Sequence, residues 1–505
     1  MHTSNVNAVS VHLSVRKSYG HTIPLFYAEV DNSQANIGSN NLKALLIGQK
    51  VSSGKAEDGV PVLVTGGSQG KELFGHGSML ARMNSAFREN NSVGEVWAIA
   101  VSDPEGGKKA SGTLTFSGTV TAAGTVYVYI GADCVAINIP NSSDAAAVAK
   151  AVTAGINAKT DLPVTAEASE GVVTIQAKNT GAYGNDIALQ LNFQGYAAGE
   201  ELPEGIACEV ATLSGGSGEV DLEAVITAMG DESYDFIAMP YADGAHIASF
   251  TTEMNDKTGR WSPIRQIYGH VYTAKRDTVS NLQAVGKGLN DQHLTVMAVE
   301  PKCPSLAVEV LGALVGSCLT AIQNDPARPL QTLELVGITP SPIGKRFTLT
   351  EKQTLLTSGI ATSYVAGGYV RIERCITTYQ TNSLGDADTS YLDSNTLHSL
   401  AYIIRRLKSV VTSKYPRCKL ADDGTHYGPG QAIVTPSVIK SEIIAMYSRL
   451  ETEGIVENAE AFAENLIVER NASDPNRVDV LLPPDLVNQL RIFATLVQFR
   501  LQYNE

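Results

Sequence analysis

The sequence predicts an α/β (α+β) multidomain protein, built as a discontinuous α/β core with an inserted β-rich domain and extended N- and C-terminal strand arms. Three observations predict it. Strand and helix patterns alternate over residues 42–103 and again after 218, as they do where helices pack on a sheet. Between these stretches the chain turns rich in Thr and Val, with short strands and frequent turns. Finally, each end carries an extended apolar segment with no hairpin partner near it in sequence.

In the N-terminal arm, residues 1–41, Val11, Leu13 and Val15 alternate with His12, Ser14 and Arg16, which reads as one isolated strand. The first part of the core, 42–103, holds strands at Leu42–Ile47, Val60–Val64 and Val96–Val101. A helix at Ser78–Phe87 carries Met79, Leu80, Met83 and Phe87 at helical spacing. The insertion, 104–218, opens at Asp103-Pro104-Glu105-Gly106-Gly107. It reads as strands at Gly112–Gly118, Thr125–Ile130, Val135–Ile139, Pro163–Ala168 and Val172–Ala177, with a helix at Ser143–Ala158. A turn-rich loop follows at Asn179–Asp186, and Gly215-Gly216-Ser217-Gly218 reads as a flexible joint.

The second core part, 219–344, alternates again: helices at Val220–Met229, Ala245–Lys257 and Val279–Gly288, strands at Phe236–Met239, Gln266–Val271 and Leu294–Val299. An apolar helix at Ser305–Thr320 reads as buried. In the C-terminal domain, 345–486, Ser394 is placed to cap a helix reaching Thr412. Thr435-Pro436 opens a second helix that Gly454 stops, and Leu466–Arg470 and Val478–Leu482 read as strands. The C-terminal arm, 487–505, is extended, with Phe493, Thr495, Val497 and Phe499 on one face.

Composition narrows the function. A net charge of −14 argues against a general nucleic-acid binder, because phosphate backbones attract cationic surfaces. The six cysteines are dispersed, without C-x-x-C or histidines at metal-ligand spacing, so neutral thiols in a reducing compartment are expected. No apolar leader is expected at the start, and no stretch is expected to approach the roughly 18 apolar residues of a membrane span; assembly in the cytoplasm is the expectation. No cofactor and no metal site are expected.

Several tracts carry a resemblance. They are Arg371-Ile372-Glu373-Arg374, Ile376-Thr377-Thr378-Tyr379, Gly385 with Asp386-Ala387-Asp388, Ser413-Lys414-Tyr415-Pro416-Arg417, Val468-Glu469-Arg470-Asn471, Asn476-Arg477-Val478-Asp479 and Leu482-Pro483-Pro484-Asp485-Leu486. With Ile23-Pro24-Leu25 and Phe74-Gly75-His76-Gly77-Ser78 near the start, their order resembles the tail sheath proteins of Mu-like contractile phages. The likeness spans nearly the whole chain and is weakest in the insertion. It implies a structural subunit that is not an enzyme. Such a subunit forms hexameric rings stacked helically around an inner tail tube, with the core and C-terminal region nearest the tube and inserted domains pointing outward. The implied partners are further copies, the inner tube protein, and baseplate and tail terminator proteins, with neither nucleic acid nor membrane bound directly. The implied location is a virion tail assembled in the host cytoplasm; a bacteriocin or secretion apparatus is the alternative setting.

The resemblance makes both arms candidates for strand pairing across subunits, through Val11, Leu13, Val15, Phe493, Thr495, Val497 and Phe499. Hinges are expected near Asn32–Asn41 and around Pro483-Pro484. Between Ser394 and Leu420 stand Arg405, Arg406, Lys408, Lys414, Arg417 and Lys419 with no carboxylate. They are either a solvated helix face or a basic patch toward an acidic inner tube.

Gly66-Gly67-Ser68-Gln69-Gly70 matches the G-x-S-x-G elbow of serine hydrolases, which makes Ser68 the remote enzymatic alternative. No apolar helix is expected directly after it, and a Gly-rich turn is the plainer reading. As a P-loop it is one residue short, with Glu72 where magnesium needs Ser or Thr. Asp386-Ala387-Asp388 and Asp422-Asp423-Gly424 read as loop and turn rather than metal sites.

Overall fold

The computed structural model describes residues 42–428 and 430–499. The N-terminal arm, with Val11, Leu13 and Val15 and the expected hinge at 32–41, lies outside the described residues.

The core opens with β1 (Lys43–Gln49), β2 (Pro61–Leu63), α1 (Gly67–Phe74), α2 (Met79–Asn90) and β3 (Glu95–Val101). Ser78 caps α2 by accepting from the Ala81 N–H at 3.2 Å. The insertion holds β4 (Lys109–Gly118), β5 (Gly124–Ile130), β6 (Asp133–Ile139), α3 (Ala145–Ala158), β7 (Val164–Ser169), β8 (Val172–Thr180), β9 (Leu189–Leu191) and β10 (Ile206–Ser214). They form two sheets, in the orders β10-β4-β8-β7 and β6-β5-β9.

The core resumes with α4 (Glu223–Met229), β11 (Phe236–Ala238), α5 (Gly244–Met254), β12 (His270–Arg276), α6 (Val279–Lys287), β13 (Leu294–Val299) and α7 (Ala307–Asn324). Its sheet runs β13-β12-β11-β1-β3-β2, parallel except for β2. Both faces are covered, as parallel sheets require. Ala44 and Leu46 share a buried cluster with α2 and α7, whereas Leu45 and Ile47 pack with α4, α5 and α6 on the other side. Strands buried on both faces read as continuous apolar runs, which is why Leu42–Ile47 and Val96–Val101 were legible.

Helix α7 has the length and apolarity of a membrane span, with a mean hydropathy of 1.3, which corrects the expectation that no stretch comes near one. It lies buried against α2. Gly312 and Gly316 allow that approach: a Cβ on Gly312 would strike the Met83 carbonyl oxygen, and one on Gly316 would sit 2.7 Å from the Phe87 oxygen. Gly312→Ala is therefore expected to destabilise the protein by about 1–3 kcal/mol, an overpacking cost. A lowered denaturant midpoint would show it.

At the point where strand order reverses, between β1 and β11, doubly wound sheets hold ligands at the strands' C-terminal ends. Here the insertion is bonded to the ends of β1 and β3, beside that point. Asn179 Oδ1 accepts the Met79 N–H at the start of α2 at 2.9 Å, and its Nδ2 donates to the Lys50 carbonyl at 2.8 Å. Asp103 accepts from Gln49, Asn179 and the Thr180 N–H at 2.7, 3.0 and 3.1 Å. Arg82 of α2 ties Asp133 and the Asp161 carbonyl of the insertion to Glu309 of α7.

In the expected joint Gly215–Gly218, Gly215 has open space around it while the following residues are tied to the start of the insertion. Ser217 and Lys108 exchange backbone hydrogen bonds at 2.7 and 3.1 Å, and a Cβ on Gly218 would lie 2.8 Å from the Gly107 Cα. The ends of the insertion do lie side by side.

The rest comprises α8 (Leu349–Leu356), the hairpin β14 (Thr362–Ala366) and β15 (Tyr369–Arg374), α9 (Ser394–Lys414), β16 (Lys419–Leu420), β17 (Ile433–Val434), α10 (Pro436–Thr452), α11 (Ala459–Asn465), β18 (Ile467–Arg470) and β19 (Val478–Leu481). Val370, Ile372 and Ile376 pack in the first core cluster, and a separate cluster around Ile403, Ile443, Tyr447 and Phe462 forms the C-terminal body. Asp393, not Ser394, occupies the N-cap of α9, because the Ser394 hydroxyl donates to the Cys375 carbonyl at 3.2 Å.

Candidate functional site

Residues 490–499 present apolar surface that the described fold does not cover. Leu490, Ile492, Phe493, Leu496, Val497 and Phe499 are 70–85% exposed, and Thr495 is exposed beside them. None of these residues belongs to a strand ladder among the described residues. On an extended chain Phe493, Thr495, Val497 and Phe499 face one way, and Ile492, Ala494 and Leu496 the other. Apolar character on both faces calls for cover on both faces, and a contiguous exposed patch of this kind marks an interaction site.

A second open feature lies close in sequence. The antiparallel pair β18–β19 joins Ile467 to Leu481 and Arg470 to Val478. Neither outer edge has a ladder partner among the described residues, and Ile467 and Leu481 are 48% and 59% exposed. Unpaired edges of this type accept an added strand. The pair is held to the C-terminal body by α10, where Tyr447 stacks on Phe462 at 3.6 Å.

Just beyond Pro483-Pro484, where a hinge is expected, the chain is hydrogen-bonded to the C-terminal body. The Asp485 N–H donates to the Tyr447 hydroxyl at 3.0 Å, its carbonyl accepts from Glu457 N–H at 2.9 Å, and the Val487 N–H donates to the Ile455 carbonyl at 3.2 Å.

The cations of α9 are less alike than their spacing suggests. Arg405 pairs with buried Asp235 at 2.5 Å and lies over the Tyr268 ring. Arg406 pairs with Glu453 at 3.3 Å, and Lys414 with Glu442 at 2.5 Å. The carboxylates come from other elements, so the stretch's own composition did not announce them. Lys408 and Arg417 are exposed.

Ser68 sits exposed in the first turn of α1, a helix that the expected Gly-rich turn does not contain. No histidine or carboxylate hydrogen-bonds to it among the described residues. Asp388 accepts from Ser390 and Tyr379, which holds its carboxyl down to about 2. It lies in the loop before α9, and no cluster of metal-ligating side chains occurs among the described residues. All six cysteines are free thiols.

Comparison with known proteins bears on this arrangement. Residues 215–378 match the family model for the phage tail sheath protein central domain, and residues 386–500 match the phage tail sheath C-terminal domain. Across 480 residues the chain is 36% identical to the Mu-like prophage FluMu tail sheath protein of Haemophilus influenzae, covering 94% of this chain and 97% of that one. The chain belongs to the phage tail sheath family. In this sheath protein the matched C-terminal region takes in α9, the open β18–β19 pair and the exposed arm, while most of the insertion lies ahead of both matched regions. Among solved structures, it is similar to the sheath tail proteins of Desulfitobacterium hafniense (12% identity, 93% of this chain and 97% of that one, TM-score 0.49) and Listeria innocua (13%, 89% and 92%, 0.46).

Proposed function

We propose that this contractile-tail sheath subunit polymerises as stacked hexameric rings around an inner tail tube, and that the stack contracts to drive the tube through a host envelope. The observation that carries the reading is the C-terminal arm, left uncovered among the described residues, which a second copy would cover. The open β18–β19 pair of a neighbour offers the backbone edge. Each hydrogen bond gained contributes about 1 kcal/mol net, and each large apolar side chain buried about 1.5–3 kcal/mol. Val11, Leu13 and Val15 are assigned the same role at the other end. Contraction is then repacking of folded bodies joined by these linkers, a structural role without catalysis in which Ser68 has no part. Baseplate and tail terminator proteins close the ends of the stack, and the subunit assembles in the host cytoplasm as part of a virion tail.

Negative-stain electron microscopy of the concentrated protein at two salt levels, with and without purified inner tubes, tests the reading. Tubes, rings or stacked discs with a hollow bore are expected; small particles alone, even on a tube template, would sink it.

The inner-tube contact is assigned to Lys408 and Arg417, two of the exposed cations of the α9 region, rather than to Arg405. Reversing both to Glu should leave the melting temperature unchanged and slow assembly on tubes, more so at low salt. Arg405→Ala should instead cost about 2–4 kcal/mol of stability, because it strands Asp235. Unchanged assembly of the double reversal would reject the contact.

A further inference from the structure

The place where the C-terminal arm leaves the body is set by one carboxylate. Asp393 accepts from Arg374 Nε and Nη2 at 3.0 and 2.9 Å, and Arg491 Nη2 lies 3.0 Å from its Oδ1. Arg491 also donates to Gln331 Oε1 at 3.1 Å and to Gln489 Oε1. Gln489 donates in turn to the Ala327 carbonyl at 2.8 Å, and Gln331 to the Leu490 carbonyl at 3.3 Å. The Arg491 side chain is 14% exposed, while Ile492 next to it is 81% exposed. Held chain gives way to free chain within a single residue.

We propose that Arg491 is a releasable latch, a positioning residue that aims the arm and lets out more of it when neighbouring subunits move apart. This rests on the reading of the arm as the link to a neighbour. Two features make release inexpensive. Asp393 keeps its two-point pairing with Arg374 after Arg491 departs, so no buried carboxylate is stranded. Beneath the arm lies a cavity of about 400 Å³ lined by Arg374, Asn395, Ser399, Gln489 and Arg491. Asn395 Oδ1 and Arg491 Nε are buried there without partners, so hydrogen-bonding capacity is left unspent. The two arginines also respond differently: the hydrogen bond to Asp393 raises the pKa of Arg374, whereas burial lowers that of Arg491. Asp393 thus belongs first to Arg374.

The next fixed points upstream are the Val487–Ile455 hydrogen bond and the Leu486–Val456 bridge. Opening the latch, with the Gln489–Ala327 and Gln331–Leu490 hydrogen bonds that accompany it, therefore frees residues 488–491 and lengthens the arm by roughly 13 Å, at about 3.3 Å per extended residue. Because Asp393 is also the N-cap of α9, a pull on the arm reaches the helix that carries Lys408.

Limited trypsin digestion of the full-length subunit tests the latch at the Arg491–Ile492 bond. The double variant Gln331→Ala/Gln489→Ala removes the amides that hold Arg491 but leaves both ion pairs of Asp393 in place. It is expected to melt like the unmodified protein, to be cut after Arg491 about tenfold faster, and to polymerise more slowly. Equal cleavage rates in the two proteins, or faster cleavage with unchanged assembly, would overturn the latch. A chain ending at Arg491 separates the two ideas: if it polymerises normally, the arm reading itself fails, whatever the double variant does.

Discussion

Removing residues 492–505 is expected to abolish polymerisation while leaving the subunit as stable as the full chain. Stability is spared because Ile492, Phe493, Leu496, Val497 and Phe499 are about four-fifths exposed in the subunit, so their loss removes almost no buried area. Polymerisation is lost because the same side chains supply the apolar surface that a neighbour would bury. Thermal melts and sedimentation of the truncated protein check the two halves separately. Phe493→Asp with Val497→Asp should reproduce the assembly defect at full length, since a charge buried without a partner is costly. Tubes formed by the truncated chain would refute the expectation.

Acid is expected to loosen the packing of α9 on the sheet as the pH falls below about 6.5. His398 on α9 stacks on Phe236 with ring centroids 4.5 Å apart and is hydrogen-bonded to the Tyr272 hydroxyl at 2.9 Å. His270 reaches the Thr295 hydroxyl at 2.8 Å, and its Nδ1 is buried without a partner. Burial, with Arg405 adding, holds His398 down to about 3; burial, with His398 and His293, holds His270 well below its ordinary value. Both folded-state values are depressed, so the unfolded chain takes up these protons more readily. Stability is whole above about pH 6.5 and falls as the pH drops from there toward the folded-state values, at about 1.4 kcal/mol per unit for each group. His398 alone then removes roughly 3 kcal/mol by pH 4.5. Asp161, Asp243 and Asp256 have lowered values and join only at lower pH. Denaturant midpoints measured from pH 7.5 to 4.5 should show this slope, and His398→Gln should flatten it by about one proton. An unchanged slope in that variant would reject His398 as its source.

The fold was legible where burial and local pattern agree. The α10 helix announced itself through Pro436 at its first position and Gly454 behind it, and the core strands through unbroken apolar runs. It was not legible where distant groups decide. The expected strand Gln266–Val271 is displaced to His270–Arg276, because Gln266 and Tyr268 adopt φ of 50° and 51°, outside any strand. Its last residue, Arg276, lies beyond the expected strand and donates to the Asp186 carbonyl at 2.7 Å. Strand β10 escaped notice because most of it is exposed at a sheet edge, where no apolar alternation is demanded. Helix α1 went unseen because only Gly70 and Phe74 of its residues are buried. At the candidate site the arm's apolar run was visible in sequence, but the Asp393–Arg491 contact joins residues far apart along the chain. No spacing rule signals it.

The anchorage at Asn179 bears on how such a subunit can be rebuilt. One amide completes the start of a core helix, so residues 104–218 cannot be treated as detachable cargo space. A foreign module grafted in their place would inherit the duty of meeting the Met79 N–H and of engaging Asp103. A tag spliced at Gly195–Gly199 would not: those two glycines have positive φ and open space around them. That turn is the natural port for a reporter, and the Asn179–Asp103 contact is the part to leave alone.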